Sequence, residues 1–179
     1  MASFDFSVLN FIYDNFRCGI LDTLMPAVSK LGNAGLIWIV LAAALLIGRR
    51  NRMAGVAVLC ALVLDLIVCN VVLKPLVARI RPCDVNTAVQ LLIARPADYS
   101  FPSGHTAAAF AATSALYFSR RRLWIPALVL AVLIAFSRLY LYVHYPTDIL
   151  AGIVVGIFMG YLGCRAAETF QGSWKRRKN

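Results

Sequence analysis

The sequence predicts an all-α, polytopic membrane helix bundle of about six transmembrane helices, and three observations carry that prediction. Hydrophobic residues make up 61% of the 179, charged residues only 15%, and the mean hydropathy is +0.75. A soluble domain is nearer one half apolar. The apolar residues fall in runs close to the roughly 20 residues that a spanning helix needs, and short basic clusters separate the runs.

Five runs read as firm spans: Gly32–Gly48, Met53–Leu73, Ser103–Phe118, Leu123–Val143 and Thr147–Cys164. All are too long for strands. A sixth, Cys18–Leu31, is interrupted by Asp22, Pro26 and Lys30 and reads either as a short span or as a re-entrant piece. Phe4–Phe16 carries aromatics along one side and suits the membrane interface. With no linker, repeat or low-complexity stretch, residues 1–179 form one membrane-embedded domain, comprising an N-terminal part (1–31) and a motif-bearing region (74–148). The N-terminus has acids and aromatics where a signal peptide would be basic and then purely apolar, so no cleavage is expected.

The formal charge of +10 raises nucleic-acid binding, but the Lys and Arg residues sit beside apolar runs, which suits membrane topology instead. Arg49, Arg50 and Arg52 form one cluster, Arg120 to Arg122 a second, and Lys175 to Lys178 a third. Cytoplasmic loops retain such residues. The Lys74–Pro102 connection and the Leu141–Pro146 turn then share the opposite, extracytoplasmic face, and with six spans both termini are cytoplasmic. That outer face nevertheless holds Lys74, Arg79, Arg81, Arg95 and Arg138, a positive group the orientation rule does not place there. An anionic partner explains it better than headgroup anchoring does, because the group flanks the chain's two histidines.

In order along that face come Lys74-Pro-Leu-Val-Ala-Arg79-Ile-Arg81-Pro82, then Pro102-Ser103-Gly104-His105, then Ser137-Arg138, His144 and Asp148. Phosphoryl transfer needs positive charge around the phosphate oxygens, an in-line nucleophile and an acid for the leaving group. Lys74, Arg81 and Arg138 supply charge, and arginine grips two oxygens in a planar fork. Helices beginning after Pro102 and near Pro146 direct their N-terminal amides at an anion. On this reading the Ser103 and Gly104 N–H groups and the Ser103 hydroxyl bind phosphate oxygen. An imidazole attacks phosphorus without first losing a proton, and Asp148, four residues after His144, orients that ring as the acid of a catalytic triad does. The other imidazole acts as general acid and then base. The residues alone do not say which histidine is which.

These three spaced motifs resemble the type-2 phosphatidic acid phosphatase superfamily, over about Lys74 to Asp148 by motif and over most of the chain by span count. Any one motif is weak; three in order are specific. The resemblance implies a metal-independent lipid phosphate or diphosphate phosphatase with His144 as nucleophile, through a phosphohistidine, and His105 as acid and base. Likeness to small bacterial undecaprenyl-diphosphate phosphatases implies that substrate and the bacterial cytoplasmic membrane. Phosphatidylglycerol phosphate and phosphatidic acid are the alternatives. From another class, a lipid-phosphate transporter or flippase would carry its charges along a path across the membrane; here they gather on one face, with only Asp65 at depth.

No cofactor is expected. Two histidines with scattered carboxylates make no metal-ligand set, and the neighbouring cations repel a metal. Partners are the lipid phosphate and membrane lipids. Gly152, Gly156 and Gly160 permit close packing of the last span, with a homodimer seam as the second reading. Asp65 lies nine residues before Lys74, about 13 Å deeper, and is expected to hydrogen-bond Asn70 or a nearby hydroxyl. Val85–Ile93 reads as an interfacial helix or a packed loop, Tyr140 and Tyr142 as an aromatic belt, and the five cysteines as mostly buried small hydrophobes.

Overall fold

The computed structural model describes the backbone of residues 2–176 and the side chains of residues 3–170, and the described residues are helical with no strand. Arg177 and Lys178 of the basic tail lie outside them. The helices are α1 (Ala2–Phe16), α2 (Gly19–Leu31), α3 (Leu36–Ile47), α4 (Arg52–Asp65), α5 (Lys74–Val77), α6 (Pro82–Val85), α7 (Gly104–Phe118), α8 (Trp124–Tyr140) and α9 (Pro146–Arg176). Residues Leu66–Leu73 join α4 to α5 as π-helix, so that one element runs through to Lys74. The wide turns set this stretch apart, as they do at many functional sites.

Among the described residues, Arg52–Val85 and Pro146–Phe170 are long and apolar enough to cross a bilayer. A third crossing is broken: Gly19–Leu31 and Asn33–Ile47 meet at 47°. These are the clear apolar crossings; the count of six expected spans is not reached by length and composition among the described residues. Cys18–Leu31 and Gly32–Gly48 are two halves of one bent path, because left-handed Ala34 (φ 50°) and Gly35 (φ 67°) stop the helix between them. The α2–α3 pair, α4–α5, α7, α8 and α9 pack together as one bundle. α1 packs over the end where α9 begins, its Asp5 bonded to Thr147, and α9 runs away from that end.

Small residues set the packing. In lipid, helices associate by close backbone approach rather than by hydrophobic driving force. A Cβ at Gly156 would lie 2.5 Å from the Ala107 carbonyl oxygen, one at Gly160 2.7 Å from that of Ala111, and one at Gly163 2.6 Å from that of Ala57. The glycines of α9 therefore seat α7 and α4 within the chain. Ala111, Ala115, Ala57, Ala61 and Leu116 are buried in the same core. Away from it, Val63, Val71, Leu150, Val154 and Phe158 are exposed side chains suited to lipid contact. At the opposite end from α1, Arg121 donates to the Arg50 carbonyl across 2.5 Å, bringing two basic clusters together.

Candidate active site

Helix starts and ends converge where α1 covers the bundle. A cavity of about 900 Å³ opens there, lined by Lys74, Arg81, Gly104, His105, Arg138 and His144, and it continues between α3 and α4 along Ile39, Leu59, Leu62, Val63 and Leu66. Both histidines and the three cations named from the motifs thus share one cavity.

Arg81 is 2% exposed and fully engaged. It donates to the carbonyls of Asp98 (2.8 Å) and Val143 (2.7 Å), to the Asp98 carboxylate (2.6 Å) and to His144 Nε2 (3.1 Å). A guanidinium only donates, so Nε2 of His144 accepts and its proton sits on Nδ1. That nitrogen faces Asp148 Oδ2 at 3.5 Å, longer than a good hydrogen bond. Burial pushes the His144 imidazole well below its ordinary pKa; Asp148 opposes this, while Arg138 and Arg81 add to it. The ring is therefore neutral.

Asp148, wholly buried, accepts from Arg79 (2.6 Å), the Tyr145 N–H (2.9 Å) and the Ser100 hydroxyl. Arg79 does not line the cavity. It bridges Asp148 to the buried carboxylate of Asp5 on α1 (2.7 Å) and stacks 3.8 Å over the Tyr145 ring.

Lys74 and Arg81 share the carboxylate of Asp98. Burial alone would raise the Asp98 pKa, but the two cations hold it at about 2. Arg138, 4% exposed, donates to Ser29 Oγ across 2.5 Å, and its buried Nε has no acceptor among the described residues. An unsatisfied buried donor on a cation is costly unless it has a purpose. His105 Nε2 lies 2.9 Å from Asn33 Oδ1, at the α2–α3 break.

Ser103 departs from expectation. It is fully buried, its N–H donates to the Asp148 carbonyl (3.2 Å) and its hydroxyl pairs with Thr106 (3.0 Å). Its N–H joins α7 to α9 and its hydroxyl stays within the first turn of α7, whereas Gly104 faces the cavity, where a Cβ would lie 3.3 Å from Asn70 Oδ1. Asp65 also lines the cavity, and its partner is Cys69 Sγ (3.2 Å), not Asn70. The π-helical turns direct Cys69 back onto it.

Tyr140 and Tyr142 are each 1% exposed and form no belt. Their hydroxyls donate to Asp22 and Asn10, both across 2.6 Å, fastening α2 and α1 to the site. Of Val85–Ile93, only Val85 closes a helical turn; Val89, Leu91 and Leu92 pack as a loop beneath α1. Sequence reasoning missed Asn33, Asp98 and the Asp5–Arg79 pair. A turn-like Gly32-Asn33-Ala34-Gly35 was the one local signal among them.

Cations, imidazoles and an apolar groove in one cavity define a membrane-embedded phosphatase of lipid phosphates. The chain belongs to the PAP2 superfamily, whose sequence profile matches residues 54–171. It is 35% identical over 150 residues to an undecaprenyl-diphosphatase of Sulfolobus acidocaldarius, covering 83% of this chain and 72% of that protein. It is 32% identical over 153 residues to undecaprenyl-diphosphatase BcrC of Bacillus subtilis, covering 83% and 76%. Among solved structures, a transmembrane PAP2-type phosphatidylglycerolphosphate phosphatase from Bacillus subtilis superposes with a TM-score of 0.76 at 26% identity, covering 94% of this chain and 86% of that one. Aquifex aeolicus LpxE superposes with a TM-score of 0.78 at 27% identity, covering 90% and 95%.

Proposed function

We propose that the protein hydrolyses undecaprenyl diphosphate to the monophosphate at the extracytoplasmic face of a bacterial cytoplasmic membrane, through a phosphohistidine. The observation that carries the mechanism is the accepting Nε2 of His144, whose Nδ1 faces buried Asp148 at 3.5 Å. The Nε2 lone pair attacks the terminal phosphorus while the bond to the bridging oxygen breaks. That oxygen's electron pair takes a proton from protonated His105. Asp148 stabilises the ring as it becomes cationic. Water then attacks, His105 recovers a proton from it, and the phosphorus–nitrogen bond breaks with its electron pair returning to Nε2.

Lys74, Arg81, Arg138 and the Gly104 N–H hold the phosphate oxygens, where preorganised charge stabilises the transition state. The apolar groove between α3 and α4 takes the lipid tail. The substrate choice rests on the undecaprenyl-diphosphatase relatives; the phosphatidylglycerolphosphate phosphatase neighbour makes that lipid the runner-up. A transporter is disfavoured because the cations cluster at one end of the bundle. The extracytoplasmic assignment rests on the two arginine clusters that meet at the other end.

The test is release of inorganic phosphate by purified protein from undecaprenyl diphosphate, phosphatidylglycerol phosphate and phosphatidic acid, with EDTA present and His144→Ala as control. Preference for the diphosphate, insensitivity to EDTA and an acid-labile phosphoenzyme absent from His144→Ala are expected. Full turnover by His144→Ala overturns the covalent route, and no release from any lipid overturns the function.

A further inference from the structure

We propose that Lys30, at the break between α2 and α3, forms a second phosphate subsite that selects lipid diphosphates over phosphate monoesters. This rests on the proposed hydrolysis and adds a residue that determines its specificity. Lys30 lies outside residues 54–171, the part of the chain matched to the superfamily.

The charge around the cavity exceeds what one phosphoryl group needs. Lys74, Arg81 and Arg138 surround the place of transfer, yet Lys30 and Arg95 line the same cavity. Arg95 is bonded to Asp84 across 2.9 Å. Lys30 has no carboxylate partner among the described residues.

Its neighbours fix where it stands. Ser29, one residue earlier, holds Arg138. Two residues later, a Cβ on Gly32 would come within 2.9 Å of His105 Cδ2, and Asn33 faces His105 Nε2. The proton-bearing atom of the general acid therefore points at the α2–α3 break, and the leaving group departs toward it. A monoester places a neutral carbon–oxygen stem there. A diphosphate places its second, anionic phosphate there, beside an ammonium on a flexible stem. The same lining includes apolar Ile39, Leu62 and Val63, so one cavity holds the cationic triad, a further cation and an apolar wall, the three kinds of surface a prenyl diphosphate would meet.

A lysine in the last turn of α2 also offsets that helix's dipole. That role alone affects stability, not the choice between substrates, and the experiment separates the two. In detergent micelles, kcat/KM is measured for undecaprenyl diphosphate and for phosphatidic acid with the wild type, Lys30→Gln and Lys30→Arg. Lys30→Gln is expected to lower the diphosphate-to-monoester ratio about tenfold, the weight of one charge-assisted contact, chiefly through KM, with Lys30→Arg restoring most of it. Thermal protection of the full chain by methylene diphosphonate should weaken in Lys30→Gln more than protection by inorganic phosphate. A ratio and a protection pattern unmoved by the substitution overturn the subsite while leaving the phosphatase reading intact. A wild type inactive toward every lipid phosphate overturns that reading first.

Discussion

The guanidinium of Arg81 donates to Nε2 of His144 across 3.1 Å, so a phosphate-binding cation also sets the tautomer of the proposed nucleophile. Attack requires a neutral ring, so activity falls as pH falls through the pKa of His144. Burial pushes that pKa below the ordinary value of about 6.5. The acidic limb of kcat/KM, which reports the free enzyme, should therefore lie well below that value. Arg81→Gln removes a neighbouring positive charge and should move the limb to higher pH, besides lowering kcat/KM about a hundredfold through the lost phosphate contact. Comparing variant and wild type on one substrate cancels the titration of the substrate itself. An acidic limb that does not move shows that His144 does not govern it.

Arg79 joins Asp148, the carboxylate of the proposed mechanism, to α1. Asp5 is wholly buried and accepts from Arg79 at 2.7 Å and from the Thr147 hydroxyl at 2.8 Å. The outer side of α1 exposes Phe4 and Phe11, at 61% and 59%, as an interfacial helix does. Asp5→Asn leaves Arg79 only half neutralised. The expected cost is about 2 kcal/mol, below the range for breaking a fully buried pair because Arg79 is partly exposed. As Arg79 also holds Asp148, kcat should fall about tenfold with KM little changed. Thermal unfolding in micelles and steady-state rates check both; a variant that loses stability with kcat intact shows that α1 is only a brace.

How much of this was legible follows from how local each signal is. Pro102-Ser103-Gly104-His105 and the His144–Asp148 spacing are short and chemically specific, and both histidines do share the cavity. The interruption of Cys18–Leu31 was legible from Asp22, Pro26 and Lys30 in the sequence, but the geometry of the α2–α3 break was not: the left-handed backbone at Ala34 and Gly35 that ends the helix there leaves no mark on hydropathy. Asn33 meets His105 across 72 positions, Asp98 meets Lys74 across 24 and Asp5 meets Arg79 across 74. No periodicity connects such residues. The Ser103 hydroxyl was assigned to phosphate from its motif, while here it pairs with Thr106 of its own helix and the Ser103 N–H reaches the Asp148 carbonyl.

Asp98 stands where it competes with an incoming anion. Its carboxylate pairs with both Lys74 and Arg81, stays ionised at any working pH and is about half exposed. A phosphate entering the cavity must share or displace it. Asp98→Asn keeps the shape and removes the charge, so inorganic phosphate should inhibit with a Ki about three- to tenfold lower, a change of roughly 1 kcal/mol. Competitive inhibition measured against a single lipid substrate gives the answer. Weaker phosphate binding in the variant would show that Asp98 organises the two cations rather than competing for them.

Packing and the proposed catalysis meet at Gly156. A Cβ at Gly156 would meet the Ala107 carbonyl oxygen at 2.5 Å and Phe110 Cβ at 2.8 Å, so Gly156→Leu must force α9 from α7. Overpacking of this kind costs about 3 kcal/mol. The same two helices carry His105 near the start of one and Asp148 in the first turn of the other, stitched by the Ser103 N–H to the Asp148 carbonyl. A shift of their contact therefore moves the general acid relative to the nucleophile, and positional errors near 1 Å are expensive in rate. Gly156→Leu should lose both thermal stability and kcat, while Gly19→Ala, with nothing within 4 Å of the new Cβ, should lose neither. Melting curves and rates on the two variants decide it: a Gly156→Leu protein that melts normally and turns over at the wild-type rate would mean that α7 and α9 are not seated on each other through this glycine.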